Sequence, residues 1–149
     1  MNKDSLLTTL SRFAIEAKRL LDETHQAEDR NIYESFFAQA GVIQAKIERD
    51  QDFRDSINTM DRLFGNSWLK DESAYRHVYS TWDLFKSLLI ESIQGMTVNE
   101  RLSMLGFFDE YDKAVKRGNE DRLRVILSKC LLNEDNIRKI IDHEFRHKH

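Results

Sequence analysis

Apolar residues recur every three or four positions along nearly the whole chain, which is the spacing of one face of an α-helix. The first such stripe follows Asp4 and Ser5, either of which can cap a helix start. Its members are Leu6, Leu10, Phe13, Ala17 and Leu20. No stretch of the sequence alternates apolar and polar residues for long enough to indicate a strand. The pattern therefore predicts an all-α protein.

Three further long stripes occupy the first two-thirds of the chain, and they predict helices that start near Asp29, near Asp50, and near Asp71 or Ser73. The stripes are Ile32, Phe36, Ala40, Ile43 and Ile47; Phe53, Ile57, Met60 and Phe64; and Tyr75, Val78, Tyr79, Trp82, Phe85, Leu89 and Ile93. Residues 65–66, Gly-Asn, are predicted to end the third helix in the left-handed conformation, and a glycine at position 95 to end the fourth.

The last third of the chain contains shorter elements with clear start signals. Thr97 and Glu100 have the spacing of a capping box, in which each side chain satisfies a backbone amide of the other. Gly106 is predicted to end that helix, and Asn119 and Asn133 are placed to cap two later ones. We therefore expect a helical bundle of seven or eight helices in a single domain, residues 1–149. Four longer helices in residues 1–95 would form the main bundle, and residues 96–149 would form a short-helix module.

Composition narrows the class of protein. A chain of 149 residues with no proline and five glycines fits one core built from long helices with short connections. The net charge is −3 and no basic stripe appears, so a nucleic-acid partner is not expected. No apolar run is long enough to span a membrane, and the N-terminus lacks the apolar segment of a signal peptide. Together with the single cysteine, Cys130, these features predict a cytoplasmic protein.

The C-terminus spells a zinc-enzyme motif. Residues 143–147 match H-E-x-x-H, in which two histidines one helical turn apart bind zinc and the glutamate acts as a base. A catalytic site needs a third ligand, normally well downstream, and only two residues follow here. We therefore expect no cofactor, and at most adventitious metal binding by His143, His147 and His149.

Arg138 and His143 provide a second candidate for enzyme chemistry. They have the R-x4-H spacing of HEPN-type ribonucleases, which are also all-helical. In that chemistry, the histidine would move protons and the arginine would hold the scissile phosphate. Such pairs also arise by chance in a chain with 13 arginines and five histidines. A HEPN-like ribonuclease, or a degenerate relative, is therefore the enzymatic alternative, and we otherwise expect no catalytic activity.

Two features are candidates for contact with a protein partner. Trp68 lies in the predicted connection between the third and fourth helices, where it could plug the bundle end or anchor a partner. The plug is the favoured interpretation, because large aromatic residues are buried on average. Asp109, Glu110 and Asp112 form an acidic group at a helix start, where negative charge is favourable. Such a group remains exposed and can also contact a partner.

Residues 98–102 and 106–114 carry the patterns N-E-R-L and G-F-F-D-E-Y-D-x-A. This part of the sequence resembles a group of small bacterial helical proteins for which no activity is established. The resemblance covers the last third of the chain. It implies a bacterial, cytoplasmic protein of the compact kind that bacteria encode next to toxins.

The combined prediction is a non-catalytic protein-binding module. Its most concrete form is an immunity or antitoxin-type protein that neutralises a toxin by occluding it. The predicted contact residues are Trp68, Asp109, Glu110 and Asp112. A scaffold or adaptor protein is the second alternative, and the oligomeric state is not predicted.

Overall fold

The computed structural model describes residues 3–146, and within them the chain forms eight α-helices and no strand. The helices are α1 (Lys3–Glu23), α2 (Ala27–Glu48), α3 (Arg54–Asn66), α4 (Glu72–Gln94), α5 (Val98–Leu105), α6 (Phe108–Lys116), α7 (Glu120–Lys129) and α8 (Glu134–Phe145). The prediction of an all-α bundle of about eight helices is confirmed.

Helices α1 to α4 form an antiparallel bundle, in which α1 packs against α2 and α4, and α2 packs against α3. Its centre is aromatic. The ring of Phe13 lies 6.2, 6.0 and 5.4 Å, centroid to centroid, from the rings of Phe36, Phe64 and Trp82. These distances are typical of favourable aromatic pairs. Tyr79, a member of the predicted apolar stripe of α4, remains partly exposed at the edge of this cluster.

Helices α5 to α8 form the short-helix module, which packs against the end of the bundle where α2 connects to α3. Gly106 ends α5 with a φ of 76°. A Cβ atom at this position would lie only 2.6 Å from the backbone nitrogen of Asp52. The side chains of Lys129 and Asp55 form an ion pair of 3.2 Å across the same junction. The buried apolar residues of bundle and module belong to one cluster.

Arg101 connects three of these elements from inside the protein. Its side chain is nearly buried, with 8% of the residue exposed. The guanidinium group donates to the carbonyl oxygen of Gln94, the last residue of α4, at 3.2 Å, and to that of Met96 just beyond the helix at 3.1 Å. It also donates to those of Cys130 and Leu131, at 3.0 and 3.2 Å, at the end of α7. A positive charge at helix C-termini is favourable, because carbonyl groups there have no partner within the helix.

The predicted helix starts are confirmed where the side chain makes the capping bond. Thr97 and Glu100 form the capping box, with hydrogen bonds of 3.3 and 3.2 Å. Asp71, Asn119 and Asn133 each accept a hydrogen bond from a backbone amide of the turn that follows. These bonds join residues three apart, so the sequence signal is sufficient to predict them.

The predicted end of α3 at residues 65–66 is confirmed in position, but the predicted left-handed conformation is wrong. The last helical residue is Asn66, and neither Gly65 nor Asn66 has a positive φ. Ser67, which follows, has an extended backbone, with φ −96° and ψ 141°. The extended backbone directs the chain towards the bundle, so that Leu69 reaches the core. Gly95 does end α4, but in a right-handed conformation.

Candidate functional site

The connection between α3 and α4 is fixed to the start of α2. Asp29, which is only 2% exposed, accepts a hydrogen bond of 3.2 Å from the backbone amide of Lys70. Leu69 is buried against the bundle end, and the Lys70 ammonium lies 3.7 Å from the Glu28 carboxylate. No local sequence pattern indicates this role of Asp29, because its partner lies 41 positions away. The connection is therefore held by contacts on both sides of Trp68.

Trp68 is 87% exposed, more than any other large apolar side chain in residues 3–146. The favoured interpretation of this tryptophan as a plug of the bundle end is therefore wrong. Its neighbour Leu69 takes the buried position instead. Since the backbone next to Trp68 is held by these contacts, the indole ring projects into solvent from an ordered segment.

A groove of about 550 Å³ lies beside this tryptophan, and we call it the Trp68 groove. It is lined by one basic and one acidic residue among apolar and small ones, namely Phe64, Gly65, Ser67, Trp68, Leu69, Lys70, Glu72 and Tyr75. The ring of Tyr75 stacks on that of Tyr79, with centroids 6.2 Å apart and planes at 9°. The Tyr75 hydroxyl donates to the carbonyl of Phe64 at 3.4 Å. The groove therefore has an ordered aromatic wall, and its volume suits a few side chains.

The C-terminus of α3 opens at this groove. Each of the other seven helices in residues 3–146 has at least one terminal carbonyl that accepts a backbone N–H from beyond the helix. Among the described residues, no backbone N–H from beyond α3 reaches a carbonyl of α3, and the last turn of α3 contains no basic residue. The wall of the groove at Phe64 and Gly65 is thus the negative end of a helix dipole.

The predicted acidic contact residues lie in a different part of the molecule. Asp109 and Glu110 are in the first turn of α6, as the helix-end interpretation requires. Glu110 forms an ion pair with Arg122, whereas Asp109 and Asp112 are exposed. Helix α4, with 23 residues, separates Trp68 from the module, which corresponds to about 35 Å at 1.5 Å per residue. The structure therefore does not bring Trp68 and the acidic group into one compact surface.

Arg138 and His143 are both exposed on α8. Five positions on a helix correspond to a rotation of about 140°, so the two side chains leave the helix in different directions. Arg138 faces Asp135, with an N–O distance of 4.0 Å. The two residues do not form a shared site within this helix.

No metal centre is found in the part of the chain that the structure describes. His143 lies in the last turn of α8, while His147 and His149, the other predicted metal ligands, lie outside the described residues. Within residues 3–146, no group of three or more His, Cys, Asp or Glu side chains is placed to hold a metal ion. Cys130 is buried, and burial raises the pKa of its thiol to about 11.

Among helices α1 to α8, none is both long and apolar enough to cross a membrane. Comparison of the chain with protein-family models, with curated proteins and with solved structures finds no match.

Proposed function

We propose that this protein is a non-catalytic protein-binding module, and that its partner docks on the Trp68 groove. The observation that carries the proposal is the 87% exposure of Trp68 on an anchored connection. A large aromatic side chain held in water is unfavourable unless a partner covers it. Because the connection is already ordered by Asp29 and Leu69, little conformational entropy is lost when a partner binds.

The gain from covering this side chain is large enough to anchor a complex. A tryptophan buries roughly 150–250 Å², which at about 25 cal/mol per Å² corresponds to roughly 4–6 kcal/mol before the costs of association. Measured losses at interface tryptophans are typically about 2–4 kcal/mol when the side chain is truncated. Such a loss corresponds to a dissociation constant about 30 to 1,000 times higher.

The most concrete form of the proposal is an immunity or antitoxin-type protein that occludes the working surface of a toxin. Two observations support this form. The resemblance of residues 98–114 implies compact proteins encoded beside toxins. The net charge of −3 would also speed encounter with a basic partner.

The test uses affinity purification from the native host with three forms of the protein: wild type, Trp68→Ala and Leu84→Ala. Leu84 is a matched control, because it is also exposed and apolar but lies about 18 Å along α4 from the first residue of that helix. We expect one stoichiometric partner that the wild type and Leu84→Ala retain and Trp68→Ala loses. The purified partner, expressed alone, should be toxic to cells, and the wild type but not Trp68→Ala should protect them.

Other results would change the assignment. A partner that binds Trp68→Ala as tightly as the wild type would remove the proposed site. A partner lost only when Asp109, Glu110 and Asp112 are all changed to alanine would place the interface on α6. A partner without toxic activity would support the scaffold or adaptor alternative.

A further inference from the structure

We propose that the Trp68 groove binds a cationic side chain of the protein partner, and that this side chain is an arginine. The inference rests on the proposed function, because it names the chemistry that the partner brings to the same groove. Its evidence comes from the open C-terminus of α3, from the charges around it and from the aromatic residues that line the groove.

The carbonyl groups of the last turn of α3 lack donors that comparable groups elsewhere have. Only the carbonyl of Phe64 receives a donor from outside the helix, namely the Tyr75 hydroxyl at 3.4 Å, which is a long hydrogen bond. Gly65 does not adopt the left-handed conformation that would direct backbone N–H groups to these carbonyl groups, and the last turn contains no basic side chain that could donate to them. A cation with several N–H donors is the group that this surface lacks.

The protein uses an arginine for this same task at another place. Arg101 donates to four carbonyl groups at the ends of α4 and α7. None of these four hydrogen bonds is to a carboxylate. Carbonyl groups at and just beyond helix ends are therefore sufficient to bind a guanidinium group in this fold. Within residues 3–146, no arginine donates to the carbonyl groups of the last turn of α3, and this end of the helix faces the groove rather than the core.

The other walls of the groove also suit a cation. Trp68 and Tyr75 present aromatic rings, and a cation over the face of an aromatic ring is attracted by the negative charge there. Glu72 contributes a carboxylate. Lys70, which also lines the groove, pairs with Glu28 at 3.7 Å. Arg76 pairs with Glu72 at 2.7 Å, so an incoming cation would share that carboxylate with Arg76.

Arginine fits this combination better than lysine does. Its planar guanidinium group has five N–H donors and can stack on an indole ring while it donates to carbonyl and carboxylate oxygens at its edge. An ammonium group is more strongly hydrated and lacks a flat face that could stack. The groove offers both a flat aromatic surface and several acceptors, which are the two features that guanidinium can use together.

The test measures binding of N-acetyl-arginine amide to the isotope-labelled protein by NMR, at constant ionic strength. N-acetyl-citrulline amide, which has nearly the same shape but no charge, is the control ligand. The indole N–H signal of Trp68 reports on the groove. The signal of Trp82 is an internal reference, because this indole is buried and donates to Asp61 at 2.9 Å.

Two variants with the same change in net charge locate the site. Glu72→Gln removes a carboxylate that lines the groove. Asp112→Asn removes an exposed carboxylate on α6, in the module beyond the other end of α4. We expect arginine to shift the Trp68 signal saturably in the millimolar range, and citrulline not to do so. Glu72→Gln should weaken arginine binding by about two- to fivefold, which is the size of one exposed charge interaction, and Asp112→Asn should leave it unchanged.

Equal shifts with arginine and citrulline, no saturable shift in the millimolar range, or equal weakening by both variants would overturn the inference. Its failure is distinguishable from failure of the proposed function. If Trp68→Ala loses the partner while arginine and citrulline bind alike, the partner docks on the groove without a cation. If the partner ignores Trp68→Ala, the proposed function itself is wrong.

Discussion

Alanine substitutions at Gly106 and Gly118 test how closely the module approaches the bundle, through the free energy of unfolding that each substitution costs. Both glycines have a positive φ, 76° at Gly106 and 62° at Gly118. They differ in their surroundings. A Cβ atom at Gly106 would lie 2.6 to 2.8 Å from backbone atoms of residues 50–52, whereas a Cβ atom at Gly118 would have no neighbour within 4 Å. Alanine at either position is strained by the left-handed backbone, but only alanine at position 106 also forces the two parts of the protein apart.

The magnitudes follow from these two terms. The left-handed conformation costs an L-residue roughly 1–2 kcal/mol, and alanine recovers part of this because it restricts the unfolded chain. We therefore expect Gly118→Ala to lower the free energy of unfolding by about 1 kcal/mol. At Gly106 the new methyl group would be about 0.8 Å closer to backbone than ordinary contact allows. Forcing such a contact in packed structure costs roughly 1–3 kcal/mol more, so Gly106→Ala should lose about 3 kcal/mol in total.

The assay is urea unfolding followed by circular dichroism, with both variants and the wild type compared at one temperature. The midpoint should fall for both variants and about three times further for Gly106→Ala, with similar slopes. If the two variants lose the same free energy, a methyl group at position 106 is accommodated without a clash, and the backbone of residues 50–52 does not lie as close to Gly106 as described. A larger loss for Gly118→Ala would refute the reasoning altogether.

Two further predictions concern groups inside the fold. Arg101→Met should lower the free energy of unfolding by about 3–5 kcal/mol, because it leaves carbonyl groups at two helix ends without donors. Arg101→Lys should recover only part of this loss, since one ammonium group cannot reach all four carbonyl oxygens. Urea unfolding measures both variants, and a loss below about 1 kcal/mol for Arg101→Met would contradict the role assigned to Arg101. Burial, reinforced by the nearby Asp29 charge, raises the pKa of Tyr33 from 10.0 to about 12. The stability that neutral Tyr33 contributes is therefore complete below pH 10 and is lost as the pH rises through 12. Unfolding free energies measured between these values should fall less steeply for Tyr33→Phe than for the wild type, and parallel curves would show that this hydroxyl does not contribute.

The helices were predictable because their signals are local. The apolar stripe of α4 is contained within one element, and the capping bonds at Thr97, Asn119 and Asn133 join residues three positions apart. A single window of sequence contains both partners of each such interaction. The number of helices and most of their starts could therefore be read from the sequence.

The candidate site could not be predicted in the same way. Trp68 and Leu69 are adjacent, apolar and without periodicity, so the sequence does not indicate which of them is buried. The choice depends on Asp29, which holds the backbone of Lys70 from 41 positions away. The extended backbone at Ser67, rather than a left-handed Gly65, has the same non-local origin.

The residues of the signature in residues 98–114 have structural roles, so the signature is better interpreted as a pattern of the fold than as a binding site. Glu100 closes the capping box, Arg101 binds helix-end carbonyls, and Gly106 permits close approach to the bundle. Two more of its positions, Phe107 and Ala114, are buried in the core.

These residues build and dock the module, so the resemblance that they support predicts a shared fold more directly than a shared partner. The groove at Trp68 lies outside the signature, at the other end of α4. Under the proposed function, the partner docks on residues 64–75, which the signature does not include. Proteins that share only the signature are therefore expected to share the docked module and to differ in what they bind. Exchanging those residues between two such proteins should transfer the choice of partner, whereas exchanging residues 98–114 should not.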